Sequence, residues 1–183
     1  MRILLLPGLY NSDHEHWQSH WERDLPNAQR VLQQDWVTPN RQEWVATLDA
    51  AIVASEEPVI LVAHSLGCAL VAWWAATSTT TGEQKARVRG ALLVAPPDVA
   101  RAKFPAPSFS PMPVNCLPFT TIVIASEDDP WCELGLAQQW ALEWGAQFHC
   151  IGALGHINSE SALAEWQQGR QWLSQLFFGP VSE

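Results

Sequence analysis

Three polar residues, far apart in the chain, have the types and the order needed for nucleophilic catalysis. They are Ser65 in AHSLG, a carboxylate in SEDDPW (Ser126–Trp131) and His156 in ALGHINSE. A serine hydroxyl is a weak nucleophile at neutral pH and needs a base within hydrogen-bond reach. Histidine is the side chain that takes and returns a proton near pH 7. His156 lies in a turn whose glycines, Gly152 and Gly155, can aim it. A carboxylate must then fix the imidazole tautomer and stabilise the imidazolium. Glu127, Asp128 and Asp129 are on offer. Asp129 is the first choice, because Pro130 directly after it restricts the turn that would aim it. Asp128 is the second.

Positioning such groups requires rigid elements behind each of them. Short apolar runs at Arg2–Leu6, Pro58–Ala63, Val88–Ala95, Phe119–Ala125 and Gln147–Ile151 read as strands, with Gln29–Leu32 as another candidate. His14–Leu25, Asn40–Ser55, Leu66–Thr77, Glu133–Trp144 and Ser159–Phe178 read as helices, and Gly145 stands where a helix stop is expected. Thr77–Gly82 reads as a loop. Ala100–Pro118 holds five prolines and reads as a surface excursion that could cover a site. Strand and helix signals alternate from end to end. The expected fold is therefore α/β: a three-layer sandwich of a mainly parallel sheet with helices on both faces, in one domain over residues 1–183. In such sheets sites form beyond the carboxyl ends of the strands. Ser65, Asp129 and His156 each follow a strand.

The serine's surroundings sharpen the reading. AHSLG matches the nucleophile elbow G-x-S-x-G with Ala63 at the first small position, one methyl larger than the usual glycine. The helix beginning at Leu66 turns its free amides and positive end toward the serine. An oxyanion needs two backbone N–H donors. Leu66 supplies one, and the loop PGLYNSDHEHW after the first strand should supply the other, from Leu9 or alternatively Tyr10.

Composition narrows the class. The chain has 183 residues, 48% hydrophobic and 16% charged, which suits one well-buried core. With 19 acidic and 10 basic residues the formal charge is −9, which argues against nucleic acid and against an anionic membrane surface as partners. Met1–Leu6 is too short for a signal-peptide core and Pro7-Gly8 ends it, and no stretch is long enough to span a bilayer. Cys68, Cys116, Cys132 and Cys150 form no C-x-x-C pair and read as reduced thiols. The expected location is the cytoplasm, and no cofactor is called for.

Together these residues resemble the α/β-hydrolase superfamily, and within it the small serine hydrolases of the retinoblastoma-binding protein nine, or YdeN-like, type. The resemblance runs from ILLLPGLYNSDHEHW through VAHSLG and ASEDDPW to GHIN. It implies a compact hydrolase core without the first antiparallel strands and without a large lid. It also implies that nucleophile, acid and base fall on Ser65, Asp129 and His156. A retinoblastoma-type partner would be read through Leu-x-Cys-x-Glu. No cysteine here has both flanking residues, so that partner is not carried over, and the protein partner is left open.

Other readings stand beside this one. His14, His16 and His20 suggest a metal, but no carboxylate or cysteine completes a first shell at a diagnostic spacing, so a helix start or pocket rim is preferred and no metal is expected. His64 and His149 read as packing residues. Of eleven tryptophans, Trp73, Trp74, Trp140, Trp144, Trp166 and Trp172 have helical spacing and read as core. Trp17 and Trp131 flank the site and are candidates to line an acyl pocket. The function expected is hydrolysis of a small ester or thioester through an acyl-enzyme. The alternatives are a non-catalytic binding module on the same fold, or a lyase or perhydrolase using the same three groups.

Overall fold

A computed structural model of the chain describes residues 1–79 and 82–178. Six strands form one sheet: β1 (Arg2–Leu6), β2 (Ala28–Arg30), β3 (Val59–His64), β4 (Val88–Val94), β5 (Thr120–Ala125) and β6 (Gln147–Cys150). Their spatial order is β2-β1-β3-β4-β5-β6, and every neighbouring pair is parallel. The order reverses direction at β1/β3, the place where such sheets open a crevice. The helices are α1 (Trp17–Asp24), α2 (Arg41–Val53), α3 (Leu66–Thr77), α4 (Gly82–Lys85), α5 (Leu134–Glu143) and α6 (Gln167–Phe178).

Side-chain alternation along the strands sorts the core into two layers. Leu4, Leu6, Leu61, Ala63, Leu93 and Val123 face one way, against Trp44 and Leu48 of α2, Leu70 and Trp74 of α3 and Trp140 of α5. Ile3, Leu5, Ile60, Val62, Leu92 and Ile124 face the other way, against Trp17 and Trp21 of α1 and Trp172, Leu173 and Leu176 of α6. Burial on both faces explains why β1, β3, β4 and β5 read as near-continuous apolar runs. The three-layer α/β sandwich expected from the alternation is the fold observed.

Three local departures have physical reasons. The closing helix does not run from Ser159. A short 3-10 turn at Ser159–Ser161 is followed by Ala162, Ala164 and Trp166, all with positive φ (50°, 48° and 40°), and α6 begins at Gln167. The Trp166 indole fills the space a side chain at Gly169 would need: a Cβ there would stand 2.4 Å from the ring. The proline-rich segment is anchored rather than loose, because Ala106 and Phe109 are fully buried and the Trp73 and Trp144 indoles donate to the carbonyls of Phe109 and Pro113. Within the expected loop Thr77–Gly82, Thr77 ends α3 and Gly82 opens the short helix α4, while Thr80 and Thr81 lie outside the described residues. Among the described residues no helix is long and apolar enough to cross a membrane.

Candidate active site

Ser65 sits between the last residue of β3 and the first of α3 with φ 53° and ψ −124°, a left-handed conformation a serine adopts only under constraint. The constraint is visible on both sides. The Ser65 amide donates to the Val94 carbonyl of β4 at 2.9 Å, and its carbonyl accepts from Cys68 in α3 at 2.8 Å. Two glycines allow the tight approach. A Cβ on Gly67 would stand 2.2 Å from the Leu6 carbonyl oxygen, and one on Gly8 would stand 2.7 Å from the Ser65 Cβ. The small position after the serine is thus required by β1, which passes directly against the start of α3.

The hydroxyl meets the imidazole. Ser65 Oγ lies 2.8 Å from His156 Nε2, and His156 Nδ1 lies 2.9 Å from both carboxylate oxygens of Asp129. A carboxylate only accepts, so the shared proton belongs to Nδ1, and Nε2 is left as the acceptor for the serine O–H. The Asp129 and His156 side chains are 3% and 11% exposed, so the ion pair that would form on proton transfer is held largely out of water.

Neighbouring groups hold this line in place. Asp128 turns away from the imidazole. One of its oxygens accepts from Ser126 Oγ and from the Gly155 amide, both at 2.8 Å, tying the β5 loop to the β6 loop. Ser126 Oγ in turn accepts from the Leu154 amide at 2.8 Å. These hydrogen bonds hold the Asp128 carboxyl below its ordinary range. Of the two adjacent carboxylates, Asp129 is therefore the one that meets the imidazole, and Asp128 fastens the loop that carries it. His64 Nε2 donates to the His156 carbonyl at 2.8 Å, and burial, with His16 and His156 nearby, keeps His64 neutral well below its usual pKa.

The two amides singled out for an oxyanion lie close to the serine. The Leu66 amide nitrogen is 3.1 Å from where a Cβ on Gly8 would be. Leu9 borders the same cavity. Among the described residues neither amide has a hydrogen-bond partner, whereas the Tyr10 amide donates to Trp36 at 3.0 Å and is engaged.

A cavity of about 460 Å³ opens above Ser65 and His156. Phe104, Pro105 and Trp131 give it apolar surface, with Trp131 edge-on to Phe104 and 6.3 Å from the His156 ring. Asp13, His16, Asn158, Ser159 and Glu160 give it polar surface. Trp131 thus stands at the cavity as expected. Trp17 does not, and that expectation is corrected. It is 1% exposed, packs against Trp21 and Trp166, and donates its indole N–H to the Ile157 carbonyl at 2.9 Å. Its spacing with Trp21 put both rings on the buried stripe of α1, where Trp17 steadies the residue after His156.

Sequence reading placed His16 only at a rim and passed over Asp13 and Asn158–Glu160. The latter were within reach of inference, since they lie just two to four residues after His156. His14 is exposed beside Glu15, while His16 is buried at the start of α1. Among the described residues no group of three or more His, Cys, Asp or Glu side chains could hold a metal ion. Cys132, near Asp129, is no rival nucleophile, because burial pushes its thiol up to about 12.

Comparison with known proteins identifies the family. The family model described as serine hydrolase matches residues 3–175. A protein of Pectobacterium atrosepticum described as a YdeN-like hydrolase is 32% identical, with 96% of this chain and 89% of that one covered and a TM-score of 0.84. The ydeN product of Bacillus subtilis is 16% identical over 97% of this chain and 99% of that one, with a TM-score of 0.76. A B. subtilis carboxylesterase, CesB, shares the fold at 11% identity and a TM-score of 0.64, covering 98% of this chain and 84% of that one. No curated protein matches the chain. A family match over nearly the whole length, a relative above 30% identity and a six-stranded parallel sheet lead to one conclusion: the chain belongs to the serine hydrolase family, in the YdeN-like branch of the α/β-hydrolase superfamily.

Proposed function

We propose that the protein is a carboxylesterase-like hydrolase that cleaves small esters or thioesters with Ser65 as nucleophile, His156 as base and Asp129 as its orienting acid. One observation carries the reading: an unbroken line of hydrogen bonds from carboxylate to imidazole to hydroxyl at the floor of a cavity large enough for a small acyl substrate. Ser65 Oγ attacks the carbonyl carbon as His156 Nε2 takes its proton. The amides of Leu66 and Leu9 receive the oxyanion. Collapse breaks the bond to the leaving alkoxide or thiolate, which takes the proton from His156. Water, deprotonated by His156, then splits the acyl-enzyme and restores the serine. The apolar surface of Phe104, Pro105 and Trp131 supports an acyl group of small to medium length. The four cysteines are unpaired, which supports work in the reducing cytoplasm.

The test is covalent labelling with a fluorophosphonate probe, together with turnover on 4-nitrophenyl esters of rising chain length. Ser65→Ala should abolish labelling and lower turnover by on the order of 10⁶. Near-normal turnover or labelling in Ser65→Ala would overturn the mechanism.

A further inference from the structure

The histidine beside the nucleophile is bonded to the main chain of the base. His64 is the last residue of β3, one position before Ser65, and is 5% exposed. Its Nε2 lies 2.8 Å from the carbonyl oxygen of His156. A carbonyl only accepts, so the ring proton sits on Nε2. Burial, with His16 and His156 nearby, holds the His64 pKa well below the ordinary value, and the ring is a neutral donor. Neutrality matters here, because the His156 ring stands 4.9 Å away and a charged neighbour would oppose the imidazolium formed on proton transfer.

The segment that carries the base has little structure of its own. β6 ends at Cys150, and the chain reaches His156 through Gly152 and Gly155 at φ 80° and 56°, with Ile157 following at φ 49°. Its other ties lead elsewhere. Ser126 and Asp128, in the loop after β5, accept the amides of Leu154 and Gly155, and Trp17 of α1 donates to the Ile157 carbonyl. Among the described residues, only the His64 hydrogen bond joins the main chain of this segment to the strand that leads into the nucleophile. Two hydrogen bonds then close a ring. Ser65 Oγ donates to His156 Nε2 and His64 Nε2 donates to the His156 carbonyl, both at 2.8 Å. Residues 64 and 65 are covalently joined, so the ring sets the attacking pair without passing through the rest of the sheet.

Resting on the esterase reading, we propose that His64 is a positioning residue: it holds the His156 main chain where Nε2 meets Ser65 Oγ in acylation and the attacking water in deacylation. It acts through His156 and exchanges no proton itself. Both proton transfers need the alignment, so its loss appears in kcat. The apolar surface for the acyl group, at Phe104, Pro105 and Trp131, comes from other segments, so KM does not follow.

Two substitutions test this. His64→Leu removes the donor, and His64→Gln returns an N–H near the place of Nε2. Turnover of 4-nitrophenyl butanoate is expressed per site labelled to completion by fluorophosphonate, so a loss of folded protein drops out. His64→Leu should lower kcat by about 10–100-fold with KM nearly unchanged, as a small misplacement of a catalytic group does. His64→Gln should bring kcat back to within about threefold of the parent. A His64→Leu kcat close to the parent's, a loss carried by KM, or a His64→Gln protein as slow as His64→Leu would overturn the proposal. A second measurement needs no variant to fold. Nitrogen NMR of the parent protein should show the His64 ring neutral with its proton on Nε2. A proton on Nδ1 instead would turn a lone pair toward the His156 carbonyl and refute the tether. Failure of the esterase reading shows separately, as turnover or labelling that survives Ser65→Ala.

Discussion

The strain at Ser65 predicts an inverted ranking of two inactive variants. Glycine ordinarily weakens a protein relative to alanine by about 0.5–1 kcal/mol, because it gives the unfolded chain more freedom. At φ 53° and ψ −124° the Cβ itself is the burden, and alanine keeps it while glycine removes it. Both Ser65→Ala and Ser65→Gly forfeit the 2.8 Å hydrogen bond to His156, so that loss cancels in the comparison. What remains is the release of about 1–3 kcal/mol of backbone strain against about 0.4–1 kcal/mol of unfolded-state freedom. Glycine should come out ahead by about 1 kcal/mol, which for a chain of this length is about 2–4 °C in Tm. Thermal and urea unfolding followed by tryptophan fluorescence would measure the gap. A Ser65→Gly protein no more stable than Ser65→Ala would refute the argument that the elbow is held under strain by β4 and α3.

Three further outcomes follow from the same geometry. Asp129→Asn presents an amide N–H to His156 Nδ1 and should flip the tautomer, lowering kcat by on the order of 10⁴ with little change in Tm; ester turnover checks it. Gly67→Ala would put a methyl 2.2 Å from the Leu6 carbonyl oxygen, forcing β1 and α3 apart, and should cost about 3 kcal/mol in urea unfolding. His16 and His64 are held neutral in the fold, with pKa values below the ordinary 6.5, so the unfolded chain binds protons that the native state refuses. Their contribution to stability is intact above about pH 6.5 and falls as pH drops below it, with a slope approaching about 1.4 kcal/mol per pH unit for each ring. Urea unfolding at pH 7.5 and pH 5 would show the fall, His16→Asn should roughly halve it, and a flat profile would contradict neutral burial.

Much of the fold was legible because the four central strands are buried on both faces and end in polar or turn residues. Arg2–Leu6 stops at Pro7-Gly8 and Leu66–Thr77 starts at the elbow, and both elements have those bounds. The closing helix was overextended because Ala162, Ala164 and Trp166 carry no mark of a left-handed backbone. In the same stretch Trp166 packs against Trp17, Trp21 and Trp172, contacts the local pattern does not contain. The prolines of Ala100–Pro118 correctly excluded regular strands and long helices, but Ala106 and Phe109 are drawn into the core by contacts the local pattern does not contain.

The same distinction separates the parts of the site that could be read from those that could not. A serine directly after a buried strand has little reason to be there for packing, and a histidine in a glycine-bearing turn beyond the last strand completes the order Ser, Asp, His, so Ser65 and His156 declare themselves from their local settings. The choice between Asp128 and Asp129 is different. The two carboxylates are adjacent and chemically alike, and they are told apart only by what each meets: a hydroxyl and an amide for one, an imidazole for the other. The lining is more distant still from sequence logic, because it joins side chains from four loops, at Asp13 and His16, at Phe104 and Pro105, at Trp131, and at Asn158 to Glu160. No periodicity links them. The proposed reacting groups are therefore set by local chemistry beyond single strands, whereas the cavity lining depends on how those loops converge. That is why His16, an ordinary helix cap by its position, is seen to border the cavity beside Ser65 only once the loops are assembled.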